Sequence, residues 1–143
     1  SQLRYEGYVQ ALESHGIPVD PELVISTGGF GAKDAYRAVQ EKMAENVDFT
    51  ALFAIADSMA IGAMRALMDA GRRIPEDCSV IAIDGLELSA YIEPPLTTLC
   101  QPMEEMGRRS AEILLDMVRH KGSHACELLP TTLRQGRSVA APR

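Results

Sequence analysis

Apolar residues along this chain fall into two patterns. In one they recur three or four positions apart, which gathers them on one side of a helix. In the other, four to six follow almost without interruption, which suits a short strand buried on both faces. Residues 2–15 predict a helix with Leu3, Ala11 and Leu12 among its apolar positions; Gly16 stands where a helix stops and Pro18 follows. Residues 23–26 (LVIS) form a short run of strand character, and Gly28-Gly29-Phe30-Gly31 predicts a loop. A second helix is expected over 32–45, with Ala35, Val39 and Met43 at spacing four. The run 51–56 (ALFAIA) reads as a buried strand, followed by Asp57 as the N-cap of a helix to about Ala70 that carries Ile61, Met64, Leu67 and Met68 on one side. Gly71 ends that helix, and Pro75 follows.

The pattern then repeats. Residues 79–83 (SVIAI) predict a strand closed by Asp84-Gly85, and 86–92 an irregular stretch or short helical turn before Glu93-Pro94-Pro95. Residues 96–100 predict another strand. A long helix is expected from Met103 to about His120, with Met106, Ile113, Leu114 and Met117 at helical spacing, ending before Gly122. Residues 128–134 predict a last strand, and Gly136 a bulge. Helices alternating with apolar strands imply an α/β fold with a mainly parallel sheet flanked by helices.

Ligands of open parallel sheets bind beyond the carboxyl ends of the strands. That rule selects Asp57 after 51–56, Asp84 after 79–83 and Phe30 in the loop after 23–26. A carboxylate at Asp84 can accept hydrogen bonds from the hydroxyls or amines of a polar ligand, or it can simply close the turn. Asp57 is explained by capping, with ligand contact as its second reading. Phe30, flanked by glycines, belongs at a surface and offers a stacking face for a sugar or a base. Arg4 lies in a first helical turn, where its charge opposes the helix dipole; that local cost is compatible with a ligand role or with plain exposure.

The whole chain is 143 residues, the size of one domain or part of one, with 46% hydrophobic and 24% charged residues, so a folded core is expected. Its formal charge of −6 opposes binding to a phosphate backbone by this segment alone. Cys78, Cys100 and Cys126 are odd in number, lack C-x-x-C spacing and sit in or beside apolar runs, so they read as reduced cysteines of a cytoplasmic protein. No apolar run approaches a membrane span and no signal peptide opens the chain, so no membrane partner is expected.

Catalytic arrangements find little support. His15, His120 and His124 lack metal-ligand spacing, no nucleophile elbow occurs, and the glycine loop at 28–31 lacks the spacing of a phosphate loop. No metal and no cofactor are expected, and an enzyme of another α/β family has fold analogy alone behind it.

From Ala51 onward an ordered series of motifs appears: Ala56-Asp57-Ser58-Met59-Ala60-Ile61-Gly62-Ala63, Gly71-Arg72-Arg73-Ile74-Pro75-Glu76-Asp77, Ser79-Val80-Ile81-Ala82-Ile83-Asp84, Pro94-Pro95-Leu96-Thr97-Thr98 and Gln101-Pro102-Met103 with Gly107. Together with Arg4-Tyr5-Glu6-Gly7-Tyr8 near the start, this series strongly resembles the LacI/GalR family of bacterial transcription regulators. The resemblance implies a periplasmic-binding-protein-like core, here one subdomain plus crossover elements. Residues 1–143 would be the C-terminal part of the effector-binding domain, with the DNA-binding headpiece and most of the first subdomain lying outside it. It implies Arg4, Phe30 and Asp84 as effector contacts and Asp57 as the family's capping aspartate. Ala56 departs from the polar residue, often asparagine, of many relatives, which removes one hydrogen bond. The resemblance further implies a small-molecule effector of the sugar class and a homodimer using Ile61, Met64, Tyr91 and Ile92. An operator would be reached only through the headpiece, and a periplasmic sugar-binding protein of the same core fold is the competing function.

Overall fold

The computed structural model describes residues 2–120 and 126–141. Its elements are helices α1 (Gln2–Ser14), α2 (Ala32–Ala44), α3 (Asp57–Asp69) and α4 (Met103–His120), and strands β1 (Ala51–Phe53), β2 (Ser79–Asp84), β3 (Thr97–Cys100) and β4 (Thr132–Arg134). Short 3-10 turns occupy Pro21–Leu23 and Glu87–Ala90. The strands form one sheet in the order β1-β2-β3-β4. The first three run parallel, with Ala51 opposite Ser79 and Ile81 opposite Thr97, and β4 returns antiparallel with Leu133 opposite Leu99. The fold is therefore α/β with a mainly parallel sheet, as the alternating pattern predicts.

Helix ends follow local chemistry. Gly71 takes φ +78°, which lets the chain turn back so that its N–H donates to the Met68 carbonyl and that of Arg72 to Leu67, satisfying carbonyls that the end of α3 leaves open. Gly16 closes α1 in the same way, through Glu13 and Leu12.

The core lies on one face of the sheet. There α3 packs on β2, and α2 packs on α3. Met64, Leu67, Val80 and Leu96 are its largest fully buried apolar side chains, together with the Cys78 thiol. Each of the larger side chains removes enough apolar surface to contribute about 1.5–3 kcal/mol. Close approach of the two helices depends on Gly62, since a Cβ there would lie 1.9 Å from the carbonyl oxygen of Ala32. By contrast, neither α1 nor α4 contributes a fully buried residue among the described side chains. On α4, Ile113 and Met117 are half-buried, whereas Met103, Met106, Leu114, Leu115 and Val118 are exposed.

Five expectations change. Residues 23–26 are not a strand: Leu23 closes a 3-10 turn and the next three residues belong to no helix or strand. A short apolar run becomes a strand only where another edge pairs with it, and the outer edge of β1 is left unpaired. The strand over 51–56 is reduced to Ala51–Phe53, although Ala54 still donates to the Ile81 carbonyl at 2.9 Å. The strand over 128–134 is reduced to Thr132–Arg134, and Gly136 lies beyond it, its N–H donating to Thr97 Oγ1 at 3.0 Å rather than forming a bulge. Asp57 is not the N-cap of α3: Ala56 holds that position without a side-chain bond, and Asp57 is the first helical residue. The predicted end of α4 before Gly122 and the reading of His124 lie outside the described residues.

Candidate functional site: an arginine–aspartate pair at the strand rim

Two of the residues selected from the sequence meet. Arg4 on α1 reaches over the carboxyl end of β1, donates through Nη1 to the Ile55 carbonyl, and places Nη2 3.5 Å from Asp84 Oδ1. Both side chains keep about a third of their surface in solvent, at 34% and 27%. The direct worth of such a half-exposed pair is small, on the order of 1 kcal/mol or less. Its significance is geometric: a forked donor and a carboxylate face the same space beyond the strands. Asp84 Oδ1 also accepts from Gln101 Nε2 at 2.8 Å, whereas Oδ2 takes no hydrogen bond among the described residues. One full carboxylate oxygen, held by a backbone that pairs with Cys100 and whose carbonyl accepts from the Gln101 N–H at 3.1 Å, is thus presented outward.

Phe30 stands on the same rim. Its carbonyl accepts from Ser58 Oγ at 3.0 Å, which anchors the glycine loop to the start of α3, and its ring is 66% exposed. Among the described residues no hydrogen bond or ring contact links Phe30 to Arg4 or Asp84, so the structure joins two of the three and leaves the aromatic ring exposed.

Asp57 is elsewhere. It is fully buried, and its carboxylate accepts from Thr98 Oγ1 at 2.5 Å, Ser89 Oγ at 2.7 Å and the Leu86 N–H at 2.7 Å, with Arg134 Nη2 3.9 Å away. With every bond turned inward, this side chain does not face the rim, and its reading as a ligand contact is corrected: it organises the sheet beneath the site. Gln101, which bonds to Asp84, and Ser89, Thr98 and Arg134, which surround Asp57, were not singled out from the sequence. Gln101 had a signal, because it follows a predicted strand directly and the rim rule that selected Asp84 selects it too. The other three had none, since their roles come from a buried partner 32 to 77 positions away in sequence, a relation that local pattern does not carry.

The four apolar positions expected at a subunit interface divide. Tyr91 is 78% exposed, and Ile61 and Ile92 are half-buried. Met64 is 2% exposed within the chain's own core, so its side chain is not presented to a partner in this structure.

A cavity of about 620 Å³ lies between α1, the stretch after Leu23 and the outer side of β1; Phe30 lines it, as does Ile55, whose carbonyl accepts from Arg4. Tyr5, Tyr8, Ile25, Phe49, Phe53 and Ile55 are among its lining residues. Its walls are those of a sheet edge and carry neither Arg4 nor Asp84. Among the described residues no cluster of three histidine, cysteine or acidic side chains could hold a metal ion, and no helix is long and apolar enough to cross a membrane.

Residues 1–139 match the model of the periplasmic binding protein-like domain. The chain is 37% identical over 130 residues to the HTH-type transcriptional regulator MalR of Clostridium butyricum, a match covering 91% of this chain and 38% of that protein. It therefore spans less than half the length of this curated relative. The fold superposes on the transcriptional regulator CelR in its cellobiose complex with a TM-score of 0.85 at 35% identity, covering 94% of this chain and 41% of that one. A LacI family regulator from Enterococcus faecium with bound ribose gives 0.84 at 34% identity, covering 96% and 51%. The chain belongs to the periplasmic binding protein-like domain family, and the relatives it resembles within that family include LacI-type transcription regulators.

Proposed function

We propose that residues 1–143 are the C-terminal part of the effector-binding domain of a sugar-responsive transcription regulator, and that Arg4 and Asp84 hold the effector. The observation that carries this reading is their convergence beyond the carboxyl ends of β1 and β2, where Asp84 Oδ2 takes no hydrogen bond among the described residues. A vicinal diol can donate to that carboxylate while one of its oxygens accepts from the guanidinium, a charge-assisted arrangement suited to a polyhydroxylated molecule. Phe30 adds an exposed aromatic face on the same rim. Two similar regulators were solved with cellobiose and with ribose, which supports a sugar as the ligand class. The regulator names of the curated relatives favour this role over a periplasmic carrier and over an enzyme.

Regulation follows from differential binding: an effector that fits one closure state of the domain better than another shifts the population toward it. Operator contact belongs to a headpiece outside these residues, since a net charge of −6 opposes phosphate binding here. The domain dimerises through a face that includes Ile61, Tyr91 and Ile92, and the protein works in the cytoplasm, where its free thiols stay reduced.

Calorimetric titration of the full-length protein with mono- and disaccharides, cellobiose and ribose among them, tests the assignment. Asp84→Ala is expected to weaken the sugar that binds by roughly ten- to a hundredfold, the worth of about 1.5–3 kcal/mol for a hydrogen bond to a charged group. Unchanged affinity would remove Asp84 from the site.

A further inference from the structure

Asp84 sits at φ +140°, a backbone region that residues with a side chain rarely adopt. Such a conformation persists where the surrounding structure fixes the chain on both sides. Before Asp84, β2 is locked in the sheet, and the Asp84 carbonyl accepts from the Gln101 N–H at 3.1 Å. After it, Leu86 is gripped through both of its backbone polar groups. The Leu86 N–H donates to Asp57 Oδ2 at 2.7 Å, and the Leu86 carbonyl accepts from Arg134 Nη2 at 2.9 Å. The two gripping side chains share a partner, because Ser89 Oγ donates to Asp57 and also accepts from Arg134. Thr98 on β3 completes the shell of Asp57.

Burial of a carboxylate beside an arginine is weak evidence for stability, because apolar groups of similar volume often serve a core as well. Here the bonds are directional. They come from the first turn of α3 and from β4, elements distant in sequence, and close on one residue two positions beyond Asp84. We propose that Asp57 and Arg134 are positioning residues for the effector site: by clamping Leu86 they hold Asp84 in its left-handed conformation and so aim its carboxylate at Arg4 and the ligand. The inference rests on reading Asp84 as the effector's acceptor, and adds that the aim of this acceptor is set from the far side of the sheet.

Asp57→Asn and Arg134→Met in the full-length protein test it. Asparagine keeps the shape of Asp57 but presents an N–H₂ where one oxygen accepted, and methionine keeps the stem of Arg134 without its donors. The primary readout is the crystal structure of each variant and needs no ligand. Residue 84 is expected to return to negative φ, with Arg4 and Asp84 separating beyond 4 Å. Cellobiose and ribose then serve as probes, and whichever binds the unmodified protein is expected to bind the variants about tenfold more weakly. A folded variant in which residue 84 keeps its positive φ and its pairing with Arg4 overturns the proposal, because a purely structural role would lower the melting temperature and leave that geometry in place. If Asp57→Asn does not fold, Arg134→Met decides, since Arg134 lies at the edge of the network with a third of its side chain in solvent. If the unmodified protein binds neither sugar, these probes give the sugar reading no support, while the φ of residue 84 still settles the positioning role.

Discussion

The two partners of the rim pair come from regions built in opposite ways. Asp84 belongs to a dense part of the molecule, where β2 and β3 lie under α3 and the buried Asp57 carboxylate ties helix, turn and strands together. Arg4 belongs to α1, which buries no residue, leaves Leu3 82% exposed, and borders a cavity beside the unpaired edge of β1. Regions with few buried contacts open at lower free energy than the core they border. A ligand bridging Arg4 and Asp84 would therefore join a loosely held element to a rigid one, and the energetic consequence of binding would fall mainly on α1. Ligand-sensitive closure needs that asymmetry, since an element already locked in place has no second position to be shifted from.

The sharpest way to break this comparison is at Asp57. Asp57→Ala leaves two buried hydroxyl donors and the Leu86 N–H without their acceptor, and urea unfolding is expected to show a loss of about 3–5 kcal/mol. A loss below 1 kcal/mol would mean that the dense region does not depend on this network. Gly62→Ala comes next. Its Cβ would meet the Ala32 carbonyl at 1.9 Å, so α2 and α3 must move apart, and about 1–3 kcal/mol of stability should be lost in the same assay.

A smaller, pH-dependent effect belongs to Cys78. Burial pushes its thiol up to about 11, against a weaker opposing pull from Arg72. The folded thiol therefore stays protonated where the unfolded one ionises, so its contribution is complete below about pH 9 and declines as pH rises through 11. Chemical denaturation of the parent and of Cys78→Ala across that window should show a steeper decline for the parent, and parallel curves would contradict the burial argument. With a thiol reagent at pH 8, the exposed Cys126 should react promptly and Cys78 only on unfolding. The smallest effect is expected in the loose region, where Leu3→Ala should change stability by no more than about 0.5 kcal/mol. A larger loss would show that α1 packs more tightly than its exposure suggests.

Much of the rim was readable before the structure. The rule that ligands gather past the carboxyl ends of parallel strands selected Asp84, and the dipole argument marked Arg4, whose charge is answered by the Ile55 carbonyl and by Asp84. Phe30 was placed correctly in an exposed loop. Asp57 was read too locally. An aspartate between a strand and a helix satisfies every sequence criterion for a cap, and nothing nearby in the chain announces that Leu86, Ser89 and Thr98 compete for the same carboxylate. Met64 was assigned to an outward face by a related error: helical spacing identifies a stripe, but with α2 on one side and β2 on another, α3 buries more of its circumference than one stripe.

The sequence by itself determined the elements whose signals are local: the four helices, the glycine stops at 16 and 71, the buried run of β2 and the short turn after Leu86. These depend on periodicity and on backbone groups satisfied within a few residues, so a short window contains all the physics required. Only the tertiary structure decided which apolar runs became strands, the antiparallel return of β4, the role of Asp57 and the pairing of Arg4 with Asp84. Each of these depends on a hydrogen-bonding partner brought in from tens of residues away, and a strand or a buried carboxylate has no settled state until that partner is in place.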